Sequence, residues 1–285
     1  MSEQELGRPG SRSRASTIVA VGLAAVLVAV AVVAALAVSG RIALPGHCAP
    51  QGAAGCTRVL FIGNSYTYVN DLPGTFAEVA RSGGRDVEVG MSAVGGATLA
   101  DHVASADTRA ALGAQPWDVV VLQEQSETPA SDATRIAVFE PAVRSLATTV
   151  TSRGATPLLL ATWAHRDGSP AQGLTDYRAM QDRIDAAYLG VARALGVGVA
   201  PVGTAWAAVR ASDPGIELWQ ADGSHPSVAG TYLAACVFYA AIFGASPVGL
   251  GGGGELTSET RRALQEEAAR TVLTDPGRWG LPPAR

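Results

Sequence analysis

The sequence predicts a three-layer α/β/α sandwich with a central parallel sheet, preceded by an N-terminal transmembrane helix. Three observations carry this. Val119-Val120-Val121-Leu122 and Pro157-Leu158-Leu159-Leu160-Ala161 are apolar with no polar alternation, which marks strands buried on both faces of a parallel sheet. Such runs alternate along the chain with longer amphipathic stretches, the order that right-handed βαβ crossovers produce. Near the start, residues 17–38 form one uncharged apolar run.

Residues 1–16 are polar, carry Arg8, Arg12 and Arg14, and read as a cytoplasmic N-terminus. As a helix, the run 17–38 would span about 33 Å at 1.5 Å per residue, enough for a bilayer core. Arginine before the run predicts an N-in, C-out orientation, with a signal anchor over 17–39 and the rest of the chain extracytoplasmic. The rival is a cleaved signal peptide, with Ala37-Val38-Ser39 as a cleavage site and a secreted product. Its apolar core is usually only about 7–15 residues long, which favours the anchor. Residues 40–57 contain Pro45, Gly46, Pro50, Gly52 and Gly55 and read as a linker. Cys48 and Cys56 flank its middle and could close a small disulfide loop outside the cell.

The remaining stretch, 58–285, is predicted as one domain, long enough for a full core. Strands are expected at 58–63, 86–91, 117–122, 156–162 and 197–202. Helices are expected at 72–82, 98–113, 131–152, 172–195, 203–211, 227–243 and 257–273. Cys236 falls in an apolar helical pattern and is expected to be an inert core residue. Gly249 and Gly251 to Gly254 predict a flexible joint before the last helix, which is rich in Arg and Glu and should have one solvated face.

Composition narrows the function classes. The chain has 285 residues, 48% of them hydrophobic, and a net charge of −4; its 21 basic residues are all arginine. Neither a basic nucleic-acid footprint nor an acidic tail is visible. Three cysteines with no Cys-x-x-Cys, and no His-Glu-x-x-His, give no metal site, and no cofactor is expected. Oligomeric state is not legible.

The chemistry-bearing residues lie at the ends of the predicted strands. Val59-Leu60-Phe61-Ile62 runs into Gly63-Asn64-Ser65, so a buried strand delivers a serine to the carboxyl edge of the sheet, where open α/β folds place their sites. A plain turn would use the same residues. Some 160 residues on, Asp222-Gly223-Ser224-His225-Pro226-Ser227 precedes an apolar helix. Helix capping alone could account for that polarity. A serine hydroxyl, however, needs a base, and an imidazole serves best when a carboxylate fixes its tautomer. Asp222-x-x-His225 can supply both from one loop. After the second strand comes Val94-Gly95-Gly96, where glycine lets a backbone N–H approach a ligand. After the third comes Gln123-Glu124-Gln125-Ser126, where a side-chain amide can donate to a developing oxyanion. Tyr66 and Tyr68 follow the serine, His102 follows the glycine segment, and Trp163 and His165 end the fourth strand. Asn64, Tyr66, His102 and Trp163 are candidates to line a pocket, against ordinary roles in turn, cap and core.

In order and spacing these segments resemble the SGNH (GDSL-type) hydrolase superfamily, over essentially all of 58–245. The resemblance implies a flavodoxin-like sheet, Ser65 as nucleophile, His225 as general base and acid, and Asp222 as its orienter. It also implies an oxyanion hole from the Ser65 and Gly96 backbone N–H groups and a side-chain amide. Two departures stand out. Asn64 replaces the usual aspartate and should still support the turn. Gln123-Glu124-Gln125-Ser126 replaces Gly-x-Asn-Asp, which resembles the glutamine variant of some carbohydrate acetylesterases of the superfamily. In that register Gln123 is the expected donor, with Gln125 second.

The expected function is therefore a membrane-tethered serine esterase that hydrolyses a short-chain ester, acetyl included, of an extracytoplasmic carbohydrate or small molecule. A lipase or thioesterase on longer acyl chains, an acyl transferase, and a tethered binding module without turnover are the alternatives.

Overall fold

The structure, a computed structural model, describes Cys48 and residues 55–283. The predicted cytoplasmic segment, the membrane helix and most of the linker lie outside the described residues. Among the described residues no helix is long and apolar enough to cross a membrane. Cys48 and Cys56 are both disulfide-bonded, while Cys236 is free and buried.

Five strands form one all-parallel sheet: β1 (Cys56–Gly63), β2 (Asp86–Ala93), β3 (Val119–Leu122), β4 (Thr156–Leu160) and β5 (Gly198–Ala200). Each corresponds to a predicted strand. The order is β2-β1-β3-β4-β5. From β1 the chain first moves outward to β2, then returns to β1's other side for β3. The direction reverses there, so the carboxyl ends of β1 and β3 border the crevice where such sheets bind ligands. The runs that lacked polar alternation, β3 and β4, are buried along almost their whole length.

The α-helices of four or more residues are α1 (Ser65–Tyr68), α2 (Leu72–Ser82), α3 (Leu99–Ala104), α4 (Ala106–Gly113), α5 (Glu140–Ser152), α6 (Tyr177–Leu195), α7 (Val202–Ser212), α8 (Val228–Phe243) and α9 (Ser258–Leu273). Side-chain caps set several starts, with Asp176 accepting from Ala179 N–H at 2.9 Å and Ser227 from Gly230 N–H at 3.1 Å. The packing forms two groups, α8 against α2, α7 and α9, and α5 against α3 and α6. Buried on nearly every side, α8 is correspondingly apolar all round.

Four departures from expectation have local causes. The stretch 98–113 is two helices, because Ser105 is extended (φ −71°, ψ 128°) and caps α4 through Thr108 N–H at 3.1 Å. The stretch 172–195 becomes α-helical only at Tyr177, after a 3₁₀ turn at Pro170–Gln172. A π turn at Arg135–Phe139 leads into α5. The glycine segment is a fastened strap rather than a free joint. Gln265 accepts from Gly249 N–H at 2.9 Å and donates to Leu250 C=O at 2.7 Å, and Gly251 N–H donates to Ser82 Oγ at 2.8 Å. Gly253 (φ +82°) lies so close to the Tyr232 ring that a Cβ would come within 2.9 Å of it.

Candidate active site

β1 ends in a turn built for one purpose, to hold Ser65 at the sheet edge. Asn64 is buried, and its Oδ1 accepts from Tyr66 N–H at 3.1 Å, capping the one-turn helix α1 that begins at Ser65. Asn64 Nδ2 donates to Ala97 C=O at 2.9 Å, tying this turn to the loop after β2. The expected role of Asn64 as turn support is what its hydrogen bonds show. Gly63 is required by close approach, since a Cβ there would lie 2.3 Å from Gln123 Oε1.

The loop before α8 brings the base. It is folded back on itself by an antiparallel bridge between Trp219 and Pro226 and by Gln220 N–H donating to His225 C=O at 2.8 Å. Capping of α8 falls to Ser227, which leaves Asp222 and His225 for each other. His225 Nδ1 and Asp222 Oδ2 are 2.6 Å apart, and His225 Nε2 lies 2.9 Å from Ser65 Oγ. Burial pulls the Asp222 carboxyl upward, but hydrogen bonds from the His225 ring and from Ser224 and His225 N–H outweigh it and hold the group at about 2. An ionised Asp222 accepts a hydrogen bond from Nδ1–H, so Nε2 is left as acceptor for the Ser65 hydroxyl. The three predicted catalytic residues thus form one hydrogen-bonded line.

These groups open on a cavity of about 430 Å³ whose lining includes Ser65, Gly96, Gln125, Ser126, His165 and His225. The Ser65 and Gly96 N–H groups are both there, and neither makes a hydrogen bond among the described residues. Gly96 takes φ +72°, a conformation that glycine adopts freely.

The two glutamines reverse the expected order. Gln123 is fully buried and does not line the cavity. Its Oε1 accepts from Asn64 N–H and Thr67 Oγ1–H, each at 2.8 Å, and its Nε2 donates to Asn64 Oδ1 (2.9 Å) and Glu124 C=O (2.6 Å). Both amide hydrogens are spent on these two acceptors. Gln125 lines the cavity. Its Oε1 is held by Glu127 N–H and by the N–H and hydroxyl of Thr128, while Nε2 has a single partner, Ser126 Oγ at 3.2 Å. One amide hydrogen of Gln125 is thus without a partner among the described residues, whereas Gln123 has none to spare.

His102 and Trp163 are not cavity walls. His102 is buried, with Nε2 donating to Gly63 C=O at 2.8 Å and Nδ1 at 2.8 Å from Thr108 Oγ1, and burial lowers its pKa. It braces the end of β1 from behind. Trp163 is sandwiched between Tyr66 (4.4 Å, 6°) and Trp206 (4.2 Å, 8°), and its Nε1 donates to Ser224 C=O at 3.0 Å. Tyr66 does reach the cavity, its hydroxyl 2.8 Å from Ser224 Oγ and its ring edge-on to His225. Ser126, Ser224 and the His165 ring, whose Nε2 is 3.1 Å from Ser126 Oγ, complete the wall and bring hydrogen-bonding groups to it. Ser126 and Ser224 carry no sequence signal of their own beyond adjacency to the motifs.

No family model and no curated protein matches the chain. Solved structures do. A candidate SGNH hydrolase from Slackia heliotrinireducens is 36% identical, with 64% of this chain and 97% of that one aligned and a TM-score of 0.55. A DUF4886 family protein from Bacteroides uniformis is 21% identical over 76% of this chain and 95% of its own, with a TM-score of 0.64. An acetylxylan esterase from Geobacillus stearothermophilus is 20% identical over 66% and 94%, with a TM-score of 0.50. The last two share the fold. With the first, and with the Ser65–His225–Asp222 line in place, the chain belongs to the SGNH hydrolase family and is a serine hydrolase of the type that acts on ester bonds.

Proposed function

We propose that this protein is a serine esterase that removes a short acyl group, acetyl included, from a carbohydrate or other hydroxyl-rich small molecule outside the cytoplasm. The observation that carries it is the unbroken line Asp222–His225–Ser65 opening on a cavity furnished with hydroxyl, amide and imidazole groups. Ser65 Oγ attacks the ester carbonyl as His225 Nε2 takes its proton. The carbonyl oxygen becomes an oxyanion, received by the Ser65 and Gly96 N–H groups and the free Gln125 amide hydrogen. The tetrahedral adduct collapses, His225 returns the proton to the departing alcohol oxygen, and an acyl-Ser65 remains. Water, deprotonated by His225, then attacks the acyl carbon and releases the acid. Asp222 keeps its charge throughout and steadies the imidazolium.

The residues of the lining support the substrate class. Gln125, Ser126, His165 and Ser224 offer hydrogen bonds to an alcohol rich in hydroxyls, and the large apolar side chains of the lining are the Tyr66 and Tyr68 rings. That is little cover for a long acyl chain. The acetylxylan esterase of like fold belongs to the same substrate class. The run 17–38 serves in this proposal as an anchor, with residues 58–285 as the catalytic domain, and the disulfide-bonded Cys48 and Cys56 favour an oxidising compartment.

The test uses the full chain in detergent with p-nitrophenyl esters of two to twelve carbons. Turnover should be highest for acetate and fall with chain length, and Ser65→Ala should lower it at least about a thousandfold. An Ser65→Ala protein as active as the parent refutes the proposal, and a maximum at long chains refutes the acyl assignment. Protease added to intact cells should remove the catalytic domain while the N-terminal segment stays with the membrane.

A further inference from the structure

One buried carboxyl plays no part in that mechanism, yet it touches two of the loops that do. Glu124 is fully buried. Its Oε1 accepts from Gln125 N–H at 2.7 Å and from Leu99 N–H at 3.2 Å, and Oε2 lies 3.3 Å from the same Leu99 nitrogen. Leu99 is the first residue of α3, three residues after Gly96. The same loop is held a second time where Asn64 Nδ2 grips Ala97 C=O. No cation pairs with Glu124 among the described residues. A carboxyl is costly to bury without a counter-charge, so its retention here needs a reason.

We infer that Glu124 is a positioning residue, which sets the separation of the loops carrying the Gly96 and Gln125 oxyanion donors. The inference rests on the esterase function proposed above. Both donors are useful only if their N–H groups converge on one point, and a misplacement of about 1 Å can cost about a hundredfold in rate. Leu99 N–H and Gln125 N–H belong to segments that follow different strands, β2 and β3. The Glu124 side chain is their shared acceptor. Its other neighbours are the Tyr188 hydroxyl on α6, which accepts from Glu124 N–H at 3.2 Å, and the Asp101 carboxylate on α3. Burial pushes the carboxyl up to about 7, against the two N–H groups that favour its charge. At pH 6 it is largely protonated, and glutamine then copies its shape and keeps an acceptor at the Oε1 position.

Reach and the presence of a carboxyl are separated by two conservative variants. Glu124→Gln keeps the reach and cannot ionise at any pH; Glu124→Asp keeps an ionisable carboxyl and withdraws it by one methylene. Full-length wild type and both variants are assayed with p-nitrophenyl acetate at pH 6. Active sites are counted by exhaustive labelling with a fluorophosphonate, so that misfolded molecules drop out of kcat. The expected result is a kcat for Glu124→Gln within about threefold of wild type. For Glu124→Asp, kcat should fall about ten- to a hundredfold with KM within about twofold, because the ground state does not use the hole. Wild-type kcat per site in Glu124→Asp, or a loss in Glu124→Gln as large as that in Glu124→Asp, overturns the inference while leaving the esterase intact. If Glu124→Asp yields no labelled sites, Glu124→Gln decides alone: retained kcat supports positioning and lost kcat overturns it. A wild type that neither labels nor turns over overturns the esterase function, and the role of Glu124 with it.

Discussion

Gln123 and Gln125 are chemically identical and separated by one residue, and their hydrogen bonds give them different work. Gln123 spends all its capacity on Asn64, Thr67 and Glu124. Replacing it by alanine strands the buried Asn64 N–H and leaves a cavity, so Gln123→Ala should cost about 2–4 kcal/mol, read as a lowered midpoint in urea. Gln125→Glu is the complementary change. Oε1 can still accept from Glu127 and Thr128, but the donor becomes a carboxylate oxygen facing the oxyanion. Its kcat should fall about a hundredfold or more with little change in the midpoint. Equal kinetic damage from both variants would contradict the assignment of Gln125 as donor. The sequence showed that a glutamine stood at this edge and could not say which, because register at a strand end depends on where the last ladder bond falls. That bond is Gln123 N–H to Ile62 C=O at 2.9 Å, which ties Gln123, one residue past β3, to the end of β1. His102 illustrates the same limit. Its spacing suited a pocket, but the Gly63 carbonyl it caps is 39 residues away in sequence and visible only in three dimensions. Ser65, Asp222 and His225 were legible because the chemistry demands those residue types together and the separation of the two motifs suits the first and last loops of such a sheet.

At the scale of elements, strand and helix order could be read because buried parallel strands and amphipathic helices leave different periodicities. Boundaries set by a single cap could not. Ser105 divides 98–113 into α3 and α4 although the surrounding pattern is helical throughout. The stack Tyr66–Trp163–Trp206 also spans elements, joining α1, the segment after β4, and α7. It carries the His225 loop through Trp163 Nε1–H and Ser224 C=O. Trp163→Ala should therefore do more than empty the core. A loss of about 3–5 kcal/mol is expected from the cavity. In molecules still folded, kcat should drop as the Ser224–His225 segment loosens, whereas Trp163→Phe should restore most of the stability without the Ser224 hydrogen bond. Comparing the two by thermal melts and by kcat per labelled site separates packing from loop support.

For the molecule as a whole, the buried Glu124 makes stability depend on pH. Its carboxyl is raised from the ordinary 4.5 to about 7, so the folded state favours the neutral form. The contribution is fully present below about pH 4.5 and is lost as pH rises through about 7, a difference of about 3 kcal/mol. Glu124→Gln cannot ionise. Its melting temperature relative to wild type should therefore become more favourable from pH 5 to pH 8.5, and a constant difference across that range would contradict the burial argument. Assembly of the site is likewise a property of the whole. Ser65 and His225 touch across 160 residues of chain. During synthesis the nucleophile emerges long before its base, and a fragment that ends before His225 does not contain both. Hydrolysis is thus withheld until β3, β4, β5 and the loop before α8 have been made and docked. A covalent label that needs His225 to activate Ser65 reports completed folding as well as chemistry, and a nascent or truncated chain carries an idle serine.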